Sequence, residues 1–134
     1  MNKKILIADD EDDLRLVLKD MFRGHPYELT FARNGEEAIK KLDARKLDLA
    51  ILDISMPKAG GYEVCRHMKE DPVLKHIPII ILSAFTHDKA GDQASLANCY
   101  MHKPFDQDLL LRTVIDLLGN SENQNGLPSA GDRD

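Results

Sequence analysis

Tryptophan is missing from this chain, aromatic residues make up only 5% of it, and its two cysteines, Cys65 and Cys99, lack C-x-x-C spacing. Two isolated thiols exclude a disulfide framework and a cysteine-based zinc site, and their apolar neighbours predict buried, reduced side chains. Basic residues are outnumbered, 18 Lys and Arg against 23 Asp and Glu, for a formal net charge of -5. Such a balance argues against non-specific binding to nucleic acid or an anionic membrane, because both are polyanions that recruit basic faces. Long apolar runs are lacking as well: stretches such as Ile79 to Leu82 fall far short of the ~20 residues that cross a bilayer. Behind the amino-terminal lysines only Ile5 to Ala8 are apolar, too short for a signal-peptide core, so the cytoplasm is the expected compartment.

What remains is an ordinary globular composition, 134 residues with 43% hydrophobic and 31% charged, enough for one domain with a real core. Short buried-type strands alternate with helical patterns. Lys4-Ile5-Leu6-Ile7-Ala8 reads as a strand that ends in Asp9-Asp10-Glu11-Asp12-Asp13. Leu14, Val17, Leu18, Met21 and Phe22 follow at helical spacing until Gly24 and Pro26. Tyr27 to Ala32 predicts a second strand, and Asn34 a cap for a helix carrying Ala38, Ile39 and Leu42. After the run Leu47 to Pro57, Gly60-Gly61 opens a helix with Val64, Cys65 and Met68, which Asp71-Pro72 ends. Ile79 to Ser83 is a fourth strand, about Lys89 to Ala97 a weaker helix, and Cys99 to His102 a short fifth strand before Lys103-Pro104-Phe105. Asp106 caps a last helix carrying Leu109, Leu110, Val114, Ile115, Leu117 and Leu118, expected to end at Gly119. Five strand-helix units in alternation predict an α/β, doubly wound, five-stranded parallel sheet with helices on both faces. One domain is expected over residues 1–119, with 120–134 a flexible tail or truncated linker.

The chemistry gathers around Leu47-Asp48-Leu49-Ala50-Ile51-Leu52-Asp53-Ile54-Ser55-Met56-Pro57. This is a strand buried on both faces that delivers Asp53 to its carboxyl end, where open α/β sheets place ligand sites. In a parallel sheet the residues ending strands one, three, four and five share one rim: Asp9 and Asp10, Asp53, Ser83 and Lys103. Three crowded carboxylates repel unless a cation neutralises them, and hard oxygen donors suit Mg²⁺. A lysine and a serine beside them match the equatorial oxygens of a phosphoryl group, and one carboxylate can then serve as the nucleophile that accepts it. Taken singly, each group has a plainer role: Asp53 could cap a turn, Ser83 could simply end its strand, and Tyr100 could be a core or rim aromatic. Asp12 and Asp13 are read as complementing the positive end of the first helix. His25, His67, His76, His87 and His102 lack ligand spacing and are read as surface residues.

Asp9-Asp10, Ile51-Leu52-Asp53-Ile54-Ser55-Met56-Pro57, Gly61-Tyr62-Glu63-Val64, Ser83-Ala84 and Tyr100-Met101-His102-Lys103-Pro104-Phe105 resemble, in order and spacing, the signature blocks of the receiver domains of two-component response regulators, chemotaxis regulators among them. The resemblance covers about residues 3 to 118. It implies the flavodoxin-like strand order 2-1-3-4-5 and a signalling receiver, not a conventional enzyme, that takes a phosphoryl group from a histidine kinase or histidine phosphotransfer protein and switches conformation to control a partner or output domain. Asp53 would be the phosphoacceptor. Asp10, with Asp9 and the backbone carbonyl of Ser55, would hold Mg²⁺ together with Asp53. Lys103, ahead of a cis Lys103-Pro104 bond, would pair with the phosphoryl group, and Ser83 and Tyr100 would be the switch residues. A homodimer on phosphorylation is a further partner the resemblance allows, and no DNA-binding domain is expected after Gly119.

The chain also departs from that pattern. Leu96-Ala97-Asn98-Cys99-Tyr100 carries no Gly-Ala pair before the fifth strand, and the interval from Ser83 to Lys103 is slightly short, which predicts a truncated fourth helix. Phe85 is expected to shield the acyl phosphate partly from water. Two alternatives belong to other classes. A haloacid-dehalogenase-like phosphatase would need a second Asp where Ser55 stands. A flavodoxin-like binding module would need a Ser/Thr/Gly-rich phosphate loop after the first strand, where this chain has acids.

Overall fold

Successive strand residues point to opposite faces, so an uninterrupted aliphatic strand can be satisfied only when both faces are covered. That is the arrangement here. In β1 (Lys3–Ala8), β3 (Leu49–Asp53) and β4 (Ile79–Ser83), Ile5, Ile7, Leu49, Ile51, Ile80 and Leu82 pack with Leu18, Phe22, Leu110, Val114 and Leu118 on one side. Leu6, Ala8, Ala50, Leu52, Ile79 and Ile81 pack with Ala38, Leu42, Val64, Cys65 and Met68 on the other. The first side is covered by α1 (Asp12–Met21) and α4 (Gln107–Asn123), the second by α2 (Gly35–Ala44) and α3 (Gly61–Lys69). With β2 (Tyr27–Ala32) and β5 (Cys99–His102), the strands form one five-stranded parallel sheet in the order β2-β1-β3-β4-β5. The computed structural model describes residues 2–56, 58–84 and 97–123, with side chains described as far as Gly119. The expected helix over about Lys89 to Ala97, its truncation and the shielding role of Phe85 fall outside the described residues.

Local signals set most of the boundaries. The Asn34 side chain accepts from the Glu37 N–H at 2.8 Å, and Asp106 Oδ1 accepts from the Asp108 and Leu109 N–H groups at 2.9 and 3.2 Å, so both expected caps are formed. Gly24 takes φ of +85° just beyond α1, a left-handed conformation that glycine adopts without a Cβ clash. Asp48 accepts from the Lys4 N–H through Oδ2 at 2.8 Å, and its own N–H donates to the Lys4 carbonyl at 2.7 Å, which ties the starts of β1 and β3 together. One boundary differs from expectation. The last helix passes Gly119 and runs to Asn123. Glycine permits a left-handed stop but does not impose one, and a helix already propagated for three turns absorbs it for about 1 kcal/mol. A short 3-10 turn at Leu74–His76, not anticipated, leads into β4 and buries Leu74.

Because β1 lies between β2 and β3, the chain crosses one way after β1 and the other way after β3. The carboxyl ends of these two strands therefore flank the crevice at which open sheets bind ligands. The start of α3 is pressed against this rim. The Gly61 N–H donates to the Ile54 carbonyl at 3.0 Å, and a Cβ on Gly61 would lie 2.5 Å from the Asp53 carbonyl oxygen. Only a glycine lets the helix approach so closely. Gly61→Ala is expected to destabilise the protein by about 1–3 kcal/mol, read as a lower denaturant midpoint with an unchanged slope.

Candidate functional site

Each strand delivers one part of the site. Asp9 and Asp10 follow β1, Asp53 is the last residue of β3, Ser83 the last of β4, and Lys103 comes directly after β5. Parallel register brings them level: Ala8 is opposite Leu52, Asp53 opposite Leu82, and Ser83 opposite His102. Backbone bonds extend the ladder past the strand ends, with the Ile54 N–H on the Leu82 carbonyl at 3.2 Å and the Lys103 N–H on the Ser83 carbonyl at 2.7 Å. Asp9, Asp53 and Ser83 are the buried polar residues of the described core, at 1%, 4% and 0% exposure. Aspartate seldom goes so far from water without a partner.

The partner is Lys103. Its Nζ lies 3.2 Å from Asp9 Oδ2, 3.4 Å from Asp53 Oδ1 and 3.4 Å from Glu11 Oε1. Asp9, Asp10 and Asp53 each offer a carboxylate oxygen, all within 4.8 Å of one another. Asp9 is buried and held from two sides: the Glu11 N–H donates to Oδ1 at 2.7 Å, and Arg15 Nη1 donates to the Asp9 carbonyl at 2.8 Å. Arg15 is in turn paired with Asp12. The Ser55 N–H reaches Asp53 Oδ1 at 3.4 Å. The Lys103-Pro104 bond is cis.

Burial pushes the Asp53 carboxyl up from 3.8 to about 6, with the Asp9 charge adding to the shift and Lys103 opposing it. Asp9 is raised as well, again chiefly by burial, against the Glu11 N–H and Lys103. Burial works against the Lys103 ammonium, yet the carboxylates of Asp53 and Asp9 outweigh it and hold Lys103 above the ordinary lysine value. One ammonium thus leaves the rim short of positive charge. A donor set of three close carboxylate oxygens, with Asp9 and Asp53 shifted upward, fits a hard divalent cation.

The remaining expected residues sit around this centre. Tyr100 is half-buried on β5, opposite Ile81, and packs against the core beneath α2 and α3. Cys65 is buried, its thiol pushed up to about 12 by that burial, and both cysteines are free. Asp12 and Asp13 open α1 as expected. His67 is a surface residue whose Nε2 lies 3.0 Å from Asp43 Oδ1, at the far end of the domain from the rim. Two rim residues had no assigned role: Arg15, which holds the Asp9 backbone, and Glu11, which reaches Lys103. Arg15 carried no motif signal, and Glu11 was hidden in a run of five acids.

Residues 5–115 match the family described as the response regulator receiver domain. The chain is 36% identical over 124 residues to the alkaline phosphatase synthesis transcriptional regulatory protein PhoP of Bacillus subtilis, covering 91% of this chain and 51% of that protein. It is 29% identical to the polar-differentiation response regulator DivK of Brucella anthropi, covering 90% of this chain and 100% of that one. The chain thus spans about half the length of PhoP and of several further relatives it matches. Among solved structures, the response regulator TrrA of Thermotoga maritima, in complex with Mg²⁺-BeF, superposes with a TM-score of 0.78 at 39% identity over 87% of this chain and 99% of that one.

An aspartate whose pKa is raised from 3.8 to about 6 binds its proton more tightly folded than unfolded. The cost of ionising Asp53 is therefore absent below about pH 4, grows as pH rises toward 6, and is constant above. In metal-free buffer Asp53→Asn should stabilise the protein by about 1–3 kcal/mol at pH 8. The gain should vanish near pH 4 in paired denaturant titrations, and an equal gain at both pH values would contradict the burial account.

Proposed function

Because the chain belongs to the response regulator receiver domain family, we propose that Asp53 accepts a phosphoryl group from a phosphohistidine donor and that the acyl phosphate switches the domain between two conformations. The observation that carries this is the convergence of Asp9, Asp10 and Asp53 with the Lys103 ammonium at one rim. Asp9, Asp10, Asp53 and the Ser55 backbone carbonyl are the groups that would hold Mg²⁺. Bound there, the ion supplies charge neutralisation for the phosphoryl oxygens.

The chain's own groups account for the rest. An Asp53 carboxylate oxygen is the nucleophile, and its partial desolvation leaves it poorly neutralised and ready to attack phosphorus. Lys103 is already in reach of Asp53, so it can follow the charge onto the phosphoryl oxygens. Ser83, on the neighbouring strand and one residue past the register partner of Asp53, is the hydroxyl that would donate to the same group. Tyr100 is the aromatic that would take up the space opened as Ser83 moves inward. Phosphorylation shifts this equilibrium only by as much as the phosphoryl group binds one state better than the other.

Response regulators work with histidine kinases and output domains, and receiver domains are signalling modules. For this chain the donor is a histidine kinase or histidine phosphotransfer protein, the output is a partner or domain not among these residues, and phosphorylation favours a homodimer. Its catalysis is limited to its own phosphorylation and dephosphorylation. Among the described residues no helix is long and apolar enough to cross a membrane, and the cytoplasm, where such donors act, is the proposed compartment. Neither the phosphatase nor the flavodoxin-like alternative draws support from the family match.

Intact-mass measurement with acetyl phosphate should show one added phosphoryl group that requires Mg²⁺ and is lost in Asp53→Asn. Full labelling of that variant would overturn the assignment. Lys103→Ala should retain Mg²⁺ binding but lose the conformational shift that beryllofluoride induces in the wild-type NMR spectrum; an unchanged shift would remove Lys103 from the switch.

A further inference from the structure

Three carboxylates face the Lys103 ammonium, yet only two are buried. The side chains of Asp9 and Asp53 are 2% and 6% exposed, whereas that of Glu11, whose Oε1 is 3.4 Å from Nζ, is 64% exposed. Glu11 stands at the N-cap of α1 but makes no side-chain cap. Its N–H already serves Asp9, and its carbonyl accepts from the Arg15 N–H at 3.2 Å. The helix therefore uses the Glu11 backbone, and the carboxylate is left to hold Lys103 toward solvent.

We propose that Glu11 is a positioning residue that restrains the Lys103 ammonium at the outer edge of the rim and thereby slows phosphoryl transfer to Asp53 from small anionic donors. This rests on Asp53 being the phosphoacceptor. With acetyl phosphate, an Asp53 carboxylate oxygen forms a bond to phosphorus while the bond from phosphorus to the bridging acyl oxygen breaks. Its electron pair leaves with acetate, and no proton moves. The Asp53 side chain goes from one negative charge to two, so its attraction for Lys103 rises while that of Glu11 is unchanged. Lys103 must loosen from Glu11 to meet the new charge, and the Glu11 carboxylate also repels the incoming dianion.

Glu11→Gln keeps the size of the side chain and removes its charge. At saturating Mg²⁺ and low ionic strength, acetyl phosphate should label this variant about two- to fivefold faster than wild type, as befits one exposed ion pair, and the difference should fade near 0.5 M salt. In metal-free protein, the Lys103 side-chain NMR signals should move in Glu11→Gln but stay in place in Glu28→Gln, a change at an exposed site on β2. Equal labelling rates for wild type and Glu11→Gln, or unmoved Lys103 signals, would overturn the restraint alone. No labelling of the wild-type protein would overturn the phosphoacceptor assignment and the restraint with it.

Discussion

Lys103 meets Asp9 across 94 residues of chain, and among the described residues it is the cation that also pairs with Asp53, at 3.4 Å. Without it, two buried aspartates would face each other in a poorly solvated crevice, an arrangement that costs several kcal/mol and is ordinarily avoided by protonation. Even with it, Asp53 remains raised to about 6. The rim is thus incompletely neutralised, and the same deficit that makes Asp53 expensive to ionise makes the site attractive to a divalent cation. Stability and the proposed function pull against each other at this point, as they commonly do where charge is stored for a reaction.

Holding that charge in place requires a stiff frame. The central strands are buried on both faces, so a slip of one residue would exchange every side chain between the two cores, and register is strongly specified. At the rim itself the frame is tightened by contacts with no slack. The Gly61 backbone lies against Asp53, Arg15 holds the Asp9 carbonyl, and the Lys103 N–H continues the ladder onto Ser83. The loop between β3 and α3 is tied in turn to α2, where the Glu36 N–H donates to the Lys58 carbonyl at 3.0 Å. Lys58 and Ala59 both have positive φ, 55° and 87°, a conformation that non-glycine residues adopt only when surrounding contacts impose it. Movement at Asp53 would therefore be felt by two helices.

Much of this was legible residue by residue. Aliphatic runs bounded by Gly, Pro and acidic residues marked the strands, and Asn34 and Asp106 marked two helix starts, because each of these signals is local and acts through the backbone nearby. The five residues at the rim were legible too, since parallel strands must end on one side. Signals that depend on what does not happen were weaker. Gly119 looked like a stop, but nothing in the neighbouring chain enforces one, and α4 continues to Asn123. Asp48 carried no signal of its own within the run Leu47 to Pro57, yet it clasps β1 to β3. Glu11 and Arg15 carried no motif at all, and their roles arise from where α1 happens to begin relative to β5.

By itself the order of residues determined the alternation of strands and helices, the burial of both sheet faces and the identity of the groups that end each strand, because periodicity and turn chemistry act over a few residues. Only the tertiary structure decided which of the clustered acids are buried, which of them Lys103 touches, and how far Asp53 is pushed from its ordinary pKa. Those quantities are set by distances of a few ångströms between parts of the chain that lie tens of residues apart, and by how completely water is kept from between them.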